Sequence, residues 1–340
     1  MFTKLWAGLL SFFTFFQFSN GPQQPNKIPE TRTAPRHIAE YNVDFAARKK
    51  PFWLSPWLLE KFYQLNIEDG TQTDCLLVLH KGRLVYESYA DGWDAGMPHS
   101  VASVTKTVVS ALAGIAVAEG HIRLDSKVAD FFPGPIAPGQ ESKGDMTVEH
   151  LLTMTSGLPE DAGDDDDAWW DALWSSGDPG AMIFALPQEH PPGTHWAYNS
   201  TAVNLLAFLL AKAVGENLAD YAQAKLFGPL GMEPVAWEST DAGWYLGGWG
   251  LLLTPRDMAR FGQLYASHGR WEGRQVIPAD WVAQTPSRSM NAGAYGRLVW
   301  NFKFAPFFGF FEAYGAGGQC IDILPGLKLV LVRTGSPISE

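Results

Sequence analysis

A serine and a lysine three positions apart, Ser103 and Lys106, are the residues best suited to covalent chemistry. A serine hydroxyl is a poor nucleophile until a neighbouring base takes its proton. On a helix, a lysine three residues further on lies on the same face, one turn away. Burial can lower its pKa until the amine is neutral near pH 7. Backbone N–H groups at the helix start would face the developing negative charge.

Alone, this S-x-x-K pattern is a weak signal, since a helix-capping serine followed by a surface lysine is the ordinary alternative. The surroundings favour chemistry. An apolar helix is predicted over residues 104–119, so Lys106 would be buried, and a buried cation needs a purpose. Four further segments follow in order: VEHLLTMTSGL at 148–158, PPGT at 191–194 leading to YNS at 198–200, WGLLLTPRDM at 249–258, and YGAGGQ at 314–319.

In this order after S-x-x-K, the four segments resemble markers of the serine beta-lactamase and penicillin-binding-protein-like superfamily. The resemblance covers roughly residues 50 to 335. It is strongest to the branch of class C-like esterases, D-aminopeptidases and 6-aminohexanoate-dimer hydrolases. It implies an α+β, beta-lactamase-like fold: an antiparallel sheet from both termini flanked by helices, and an inserted all-helical lobe, with the active site between them.

The resemblance also implies roles for individual residues. Ser103 would be the acylated nucleophile, Lys106 its general base, and Tyr198 the group that relays a proton to the leaving group. Ser200 stands where the family usually has asparagine, and its hydroxyl would contact a substrate carbonyl or the lysine.

The oxyanion hole would combine the backbone N–H of Ser103 with one from Gln319 or Gly318 at a strand edge, the register being open by one residue. The last segment also departs from the family, because Ala316 stands where a lysine or histidine is usual. We expect the backbone function to be kept and the charge to be absent, unless Arg288 or Arg297 replaces it.

The predicted elements agree with an α+β class. Strands at 75–80 and 83–89, joined by Lys81-Gly82, form a hairpin, and strands at 320–324 and 327–333 form a second one. Between these pairs the spacing of apolar residues predicts mainly helices, at 104–119, 148–154, 201–214, 218–227 and 256–267, and one earlier helix is predicted at 53–65.

Composition excludes several function classes. The 340 residues carry a net charge of −11 without a basic block, so a nucleic-acid partner is not expected. Cys75 and Cys320 are too few for a disulfide scaffold or a four-cysteine zinc site, and they could either pair or stay free. The histidines lack metal-ligand spacing, the acidic run 164–167 indicates a solvated loop, and no cofactor is expected.

The amino terminus indicates export. One lysine, Lys4, precedes an apolar run from residue 5 to 18, which suits a signal peptide better than a full membrane span. We expect residues 1–20 to be a signal peptide or a membrane anchor, which would give an exported, periplasmic or membrane-attached protein. Residues 21–45 would be a linker. Residues 46–340 would form the hydrolase domain, with a sheet lobe at about 46–98 and 290–340 and a helical lobe at about 99–289.

These observations predict a serine hydrolase that cleaves a small ester or amide through an acyl-enzyme. A non-catalytic binding or regulatory protein of the same fold is one alternative, and a true beta-lactamase or DD-peptidase is another. The aromatic residues Trp169, Trp170 and Trp174 could form a lid over the cleft or pack within the helical lobe.

Overall fold

The computed structural model describes residues 71–160, 167–287, 295–304 and 308–337. The predicted signal or anchor segment, the linker, the helix at 53–65, Arg288 and most of the acidic run lie outside these residues. The strands are β1 Thr71–His80, β2 Arg83–Tyr89, β3 His99–Ser100, β4 Ala236–Trp237, β5 Leu251–Leu253, β6 Arg270–Trp271, β7 Arg274–Gln275, β8 Trp300–Phe304, β9 Phe308–Gly315, β10 Gln319–Leu324 and β11 Leu329–Pro337. The helices are α1 Val104–Ala118, α2 Val148–Leu152, α3 Asp167–Ser175, α4 Pro179–Ala185, α5 Ser200–Val214, α6 Leu218–Ala222, α7 Pro255–Ala266 and α8 Ala279–Gln284.

Six strands form the main sheet in the order β2-β1-β11-β10-β9-β8, and every neighbouring pair is antiparallel. Two strands come from the beginning of the described chain and four from its end, so the predicted α+β class is confirmed. The β1–β2 hairpin closes through Lys81 and Gly82, whose φ angles of 54° and 73° are both positive. That conformation matches the right-handed twist of the two strands.

Helix α7 packs on one face of this sheet at very short range. A Cβ added to Gly262 would lie 2.6 Å from side-chain atoms of Ile321 and of Val330. Only a residue without a side chain allows this approach, and the apolar strand residues beneath it are fully buried.

The central helices are held by residues that the sequence supplies at their ends. In α1, every residue from Val104 to Ala116 is buried, and Gly114 admits the ring of Trp281. Helix α5 begins at Asn199, whose side chain accepts the Ala202 N–H, and ends at Gly215 in the left-handed conformation.

The predicted helices that fall on described residues are found with small shifts at their ends, except for the one predicted over 218–227. Its first half is α6, but Gln223–Phe227 forms a wider π turn. Because Leu226 and Phe227 are both buried, the wider turn lets two successive apolar side chains reach the core.

Two further properties concern the described residues as a whole. Cys75 and Cys320 are both buried and free, so they do not form a disulfide. No single helix in the described ranges has the length and apolar composition to cross a membrane, although a bent pair, Ser200–Val214 with Leu218–Phe227, meets that test by length and composition.

A buried acidic pair lies across β9 and β10, where Glu312 is the partner of Asp322. Burial, the largest cause, raises the pKa of both carboxyl groups, and the charge of Asp322 raises that of Glu312 further. The guanidinium of Arg333 opposes both shifts. The favoured state is therefore one proton shared between two carboxyl groups.

Candidate active site

The chain places Ser103 at the start of α1 with a hydroxyl that does not cap the helix. Ser103 is the N-cap residue, yet its side chain makes no capping hydrogen bond. Its Oγ instead lies 2.7 Å from the Nζ of Lys106, one turn further along the helix. Nζ also lies 2.7 Å from the carbonyl oxygen of Gly248. The serine and lysine predicted to act together are therefore in hydrogen-bonding contact.

Lys106 is almost completely buried, with 1% of its surface exposed. This burial lowers the pKa of its amine to about 7. The cause is loss of solvation for the charged form, and among the described residues no carboxylate forms an ion pair with Lys106. A substantial fraction of the lysine is therefore neutral at physiological pH and able to accept a proton.

Tyr198 completes a group of three side chains. Its hydroxyl is hydrogen-bonded to Ser103, and its ring centroid lies 4.8 Å from the Nζ of Lys106. Its position is fixed by Asn199, which caps α5 and donates to the carbonyl oxygens of Leu158 and Pro159. Burial raises the pKa of Tyr198 to about 12, so the phenol is protonated at neutral pH and can donate.

The segment that leads into Ser103 is held in place by a short antiparallel pairing between β3 and β5. His99 and Ser100 pair with Leu253 and Leu252, and the Val101 N–H donates to the carbonyl oxygen of Leu251. The next residue, Ala102, has a φ of 45°. This left-handed conformation is uncommon for a residue with a side chain and turns the chain abruptly into α1.

His99 ties the same segment to the sheet. Its ring stacks on Trp93 at 4.0 Å, and Nε2 lies 3.3 Å from the Thr334 hydroxyl on β11. Burial lowers the pKa of His99 to about 4, so the ring is neutral at pH 7. His99 thus links the segment before Ser103 to strand β11.

Strand β9 reaches the backbone of Ser103 at its last residue. A Cβ on Gly315 would lie 2.4 Å from the Val101 carbonyl oxygen and 2.9 Å from the Ser103 nitrogen. The absence of a side chain thus lets the strand edge lie directly against the backbone of the serine. Residues 316–318 follow as the turn to β10.

Of the residues predicted for the oxyanion hole and substrate contact, Gly318 and Gln319 lie at this edge, and Ser200 lies at the Gly248 loop. The Gln319 side chain is buried and donates to the Gly335 carbonyl oxygen at 2.5 Å, which braces the turn against β11. The Gly318 carbonyl oxygen accepts from Arg333. Ser200 is the first residue of α5 and lies beside Gly248. The oxyanion role of the backbone at 318 or 319 stays a prediction.

Arg297 and His150 each have partners elsewhere in the structure. Arg297, a possible replacement for the missing cation, forms a two-pronged ion pair with Glu149 and packs over Trp281. His150 belongs to a capping box with Thr147, which caps α2. Both side chains therefore take part in structural contacts.

Aromatic rings border the three side chains on two sides. The ring of Tyr198 stacks with Trp300, at 5.9 Å between centroids, and meets Tyr295 edge-on. On the other side, Trp170 of α3 contacts Trp249, the residue after Gly248. The tryptophans after the acidic run therefore pack, in part, against the loop that holds Lys106.

Sequence reasoning missed two contributors to this geometry. Gly248 precedes the segment WGLLLTPRDM but was not itself singled out. Asn204 lies within the helix predicted from apolar spacing over 201–214; it is fully buried and accepts two backbone hydrogen bonds from the Gly248 loop. A buried amide in an apolar helix is a signal that could have revealed it.

A family model described as Beta-lactamase matches residues 60–332 of this chain. The chain belongs to this family. Its members are serine hydrolases, and the chain's relatives include an esterase and an aminohexanoate-dimer hydrolase.

Two curated relatives illustrate the range of this family. The chain is 28% identical over 222 residues to penicillin-binding protein 4 of Amycolatopsis lactamdurans, which covers 65% of this chain and 51% of the relative. It is 31% identical over 191 residues to esterase EstB of Burkholderia gladioli, covering 48% of this chain and 47% of EstB. Each alignment thus spans about half of the relative's length.

The fold is also found among solved structures. A putative 6-aminohexanoate-dimer hydrolase from Bacillus anthracis superposes with a TM-score of 0.65 at 24% identity, covering 80% of this chain and 76% of that one. This likeness confirms the beta-lactamase-like fold expected from the sequence.

The titration of Lys106 has a direct kinetic consequence. Because only the neutral amine can accept the serine proton, we expect kcat/KM to rise with pH through about 7 and to fall below it. A Lys106→Arg variant should lose nearly all turnover, because guanidinium stays protonated. The measurement is a pH profile of kcat/KM with a neutral ester.

A second buried lysine supplies the control. Lys143 also donates to a backbone carbonyl, that of Leu186, but takes no part in the group around Ser103. Lys143→Arg should keep the wild-type pH profile. An active Lys106→Arg variant would contradict the role of Lys106 as a base.

Proposed function

We propose that this protein is a serine hydrolase that cleaves an ester or amide bond through an acyl-enzyme, with Ser103, Lys106 and Tyr198 as its catalytic residues. The 2.7 Å contact between the Ser103 hydroxyl and the buried Lys106 amine carries the proposal. Family membership supports it, because the family consists of serine hydrolases.

In the first step, Lys106 takes the hydroxyl proton of Ser103 as Oγ attacks the substrate carbonyl carbon. A tetrahedral intermediate forms, and its oxyanion would lie at the Ser103 N–H and the turn after Gly315. The position of Ser103 at the positive end of α1 favours this negative charge.

In the second step, the bond to the leaving group breaks and that group needs a proton. The hydroxyl of Tyr198 is hydrogen-bonded to Ser103, and its ring lies beside Lys106. Tyr198 can therefore donate this proton to the leaving group and take a proton in turn from the protonated lysine. Water then attacks the acyl-serine with the same groups in reversed roles, which releases the acid and restores the enzyme.

The proposed substrates are small neutral esters or amides with apolar acyl groups. Ala316 carries no charge where relatives of this type usually have a cation, and Arg297 is engaged with Glu149. The net charge of −11 disfavours anionic substrates at long range. The rings of Trp300 and Tyr295 against Tyr198 suit apolar groups. The names of two relatives, an esterase and a 6-aminohexanoate-dimer hydrolase, agree with this class.

The proposal keeps the expected division of the chain. Residues 46–340 would form one hydrolase domain of two lobes, and residues 1–20 would direct export or anchor the protein to a membrane. No nucleic-acid partner and no cofactor enter the proposed reaction.

The nucleophile is tested by Ser103→Ala. Because the alanine has no oxygen to acylate, turnover should fall by several powers of ten. Intact-mass spectrometry after treatment with a fluorophosphonate should show one adduct on the wild type and none on the variant. Unchanged hydrolysis by Ser103→Ala would refute the assignment, and an unlabelled, inactive wild type would favour a binding or regulatory protein.

The proton donor is tested by Tyr198→Phe. Loss of a general acid should lower kcat on an anilide by about a hundred- to a thousandfold, and less on a nitrophenyl ester, whose leaving group departs without a proton. Tyr221→Phe is a matched control, since it removes a hydroxyl whose partner is Glu119. Equal losses on both substrates would argue that Tyr198 only supports the geometry.

Substrate class is tested by Ala316→Lys. A charge-assisted hydrogen bond contributes about 1.5–3 kcal/mol, so the variant should gain about ten- to a hundredfold on substrates bearing a carboxylate. The control is Ala137→Lys, which adds the same charge at an exposed site. A wild-type kcat/KM on nitrocefin above that on neutral short-chain esters would overturn the preference and favour a true beta-lactamase.

A further inference from the structure

The orientation of the Lys106 amine is set by one backbone oxygen. A neutral amine donates through its hydrogens and accepts through a single lone pair. When one hydrogen is directed to the Gly248 carbonyl oxygen, 2.7 Å away, the lone pair can face the hydroxyl of Ser103. The position of the Gly248 carbonyl therefore decides whether the amine can accept the serine proton.

The residue that carries this carbonyl is held through its own N–H by Asn204. The side-chain Oδ1 accepts the N–H of Gly247 at 2.9 Å and the N–H of Gly248 at 2.7 Å. Two successive N–H groups thus converge on one oxygen in the middle of α5. Because both groups are donors, the atom that receives them must be the amide oxygen, which fixes the orientation of the Asn204 side chain.

The same loop has no room to move toward α5. A Cβ on Gly247 would lie 2.4 Å from the Val203 carbonyl oxygen, and one on Gly248 would lie 2.9 Å from that of Ser200. Contact with α5 on one side and with Lys106 on the other therefore restrains the position of Gly248.

Asn204 is costly as a purely structural residue. It is fully buried in an otherwise apolar stretch, and its Nδ2 has no hydrogen-bond partner within the described part of the chain. A buried donor without a partner destabilises the fold. What Asn204 provides in spite of this destabilisation is the position of the loop at Gly248.

We propose that Asn204 is a positioning residue for the reaction: its Oδ1 holds the N–H groups of Gly247 and Gly248, and this sets the direction of the following carbonyl, that of Gly248, which orients Lys106 toward Ser103. The inference rests on the proposed function, because it gives Lys106 the role of base. Asn204 is then a fourth side chain on which the proposed active site depends, although it does not touch the reacting atoms.

The experiment measures the rate at which a fluorophosphonate labels Ser103, by intact mass, at a pH where the rate has reached its plateau. Asn204→Leu keeps similar volume but has no acceptor, and we expect its rate to fall at least about tenfold, since small misplacements of reacting groups are costly. Asn204→Asp restores the acceptor oxygen and should stay within about threefold of the wild type.

A control separates positioning from stability. Leu209→Ala opens a cavity in the same helix, at a fully buried residue without polar contacts, and should lower the melting temperature while keeping the labelling rate. Comparison of the Leu variant with this control at a temperature where both are folded removes the effect of unfolding.

The outcomes are distinct. A slow Leu variant with a rescued Asp variant supports the inference. A Leu variant that reacts as fast as Leu209→Ala, or an Asp variant as slow as the Leu variant, overturns the inference alone. A wild type that is not labelled at Ser103 overturns the proposed function and the inference together.

Discussion

The site depends on a buried amine that has no carboxylate partner among the described residues. Lys106 lies in the core with a serine hydroxyl and a backbone carbonyl as its polar contacts, and burial alone moves its pKa to about 7. A carboxylate at the same place would favour the ammonium and remove the basicity. The site needs an acceptor strong enough to direct the amine but without a full charge, and the carbonyl oxygen of Gly248 meets that need.

The elements around the site hold three backbone segments in contact. The segment before Ser103 pairs with β5, the edge of β9 lies against it at Gly315, and the loop at Gly248 is pressed between α5 and Lys106. At the second and third of these contacts glycine is required, because a Cβ would collide with backbone atoms. The side chains that react are few, and much of the sequence around them serves to bring main-chain atoms close together.

Local signals in the sequence predicted four of the six strands of the main sheet and the helices α1, α2, α5, α6 and α7, whereas β8, β9, α3, α4 and α8 were not predicted. They also suggested the contact between Ser103 and Lys106, which the structure contains. The turn at Lys81-Gly82, the asparagine before α5 and the glycine after it each specify a boundary by their own chemistry. Ser103 and Lys106 could be paired because one helical turn separates them. Resemblance to a family was needed to add Tyr198, which is far away in the chain.

The parts that could not be predicted depend on contacts between distant segments. Every residue offers a carbonyl oxygen, so nothing in the type of Gly248 marks it as the partner of Lys106, 142 positions away. Arg297 could be considered as a substrate contact until its pairing with Glu149 was known. The π turn after α6 likewise depends on two neighbouring side chains both finding space in the core. Each of these contacts is decided by packing between distant segments. Local sequence patterns do not reveal such packing, because it depends on the whole fold.

The uncapped start of α1 has an evolutionary consequence. A serine in this position ordinarily stabilises a helix by about 1 kcal/mol through a bond to the backbone of the first turn, and Ser103 makes no such bond. The neighbouring Ala102 adds backbone strain in the same turn. This corner of the fold is therefore less stable than a capped and unstrained helix start would be. Under the proposed function, selection for thermal tolerance and selection for catalysis act on Ser103 in opposite directions, so its persistence in a lineage would be a mark of continued selection for catalysis.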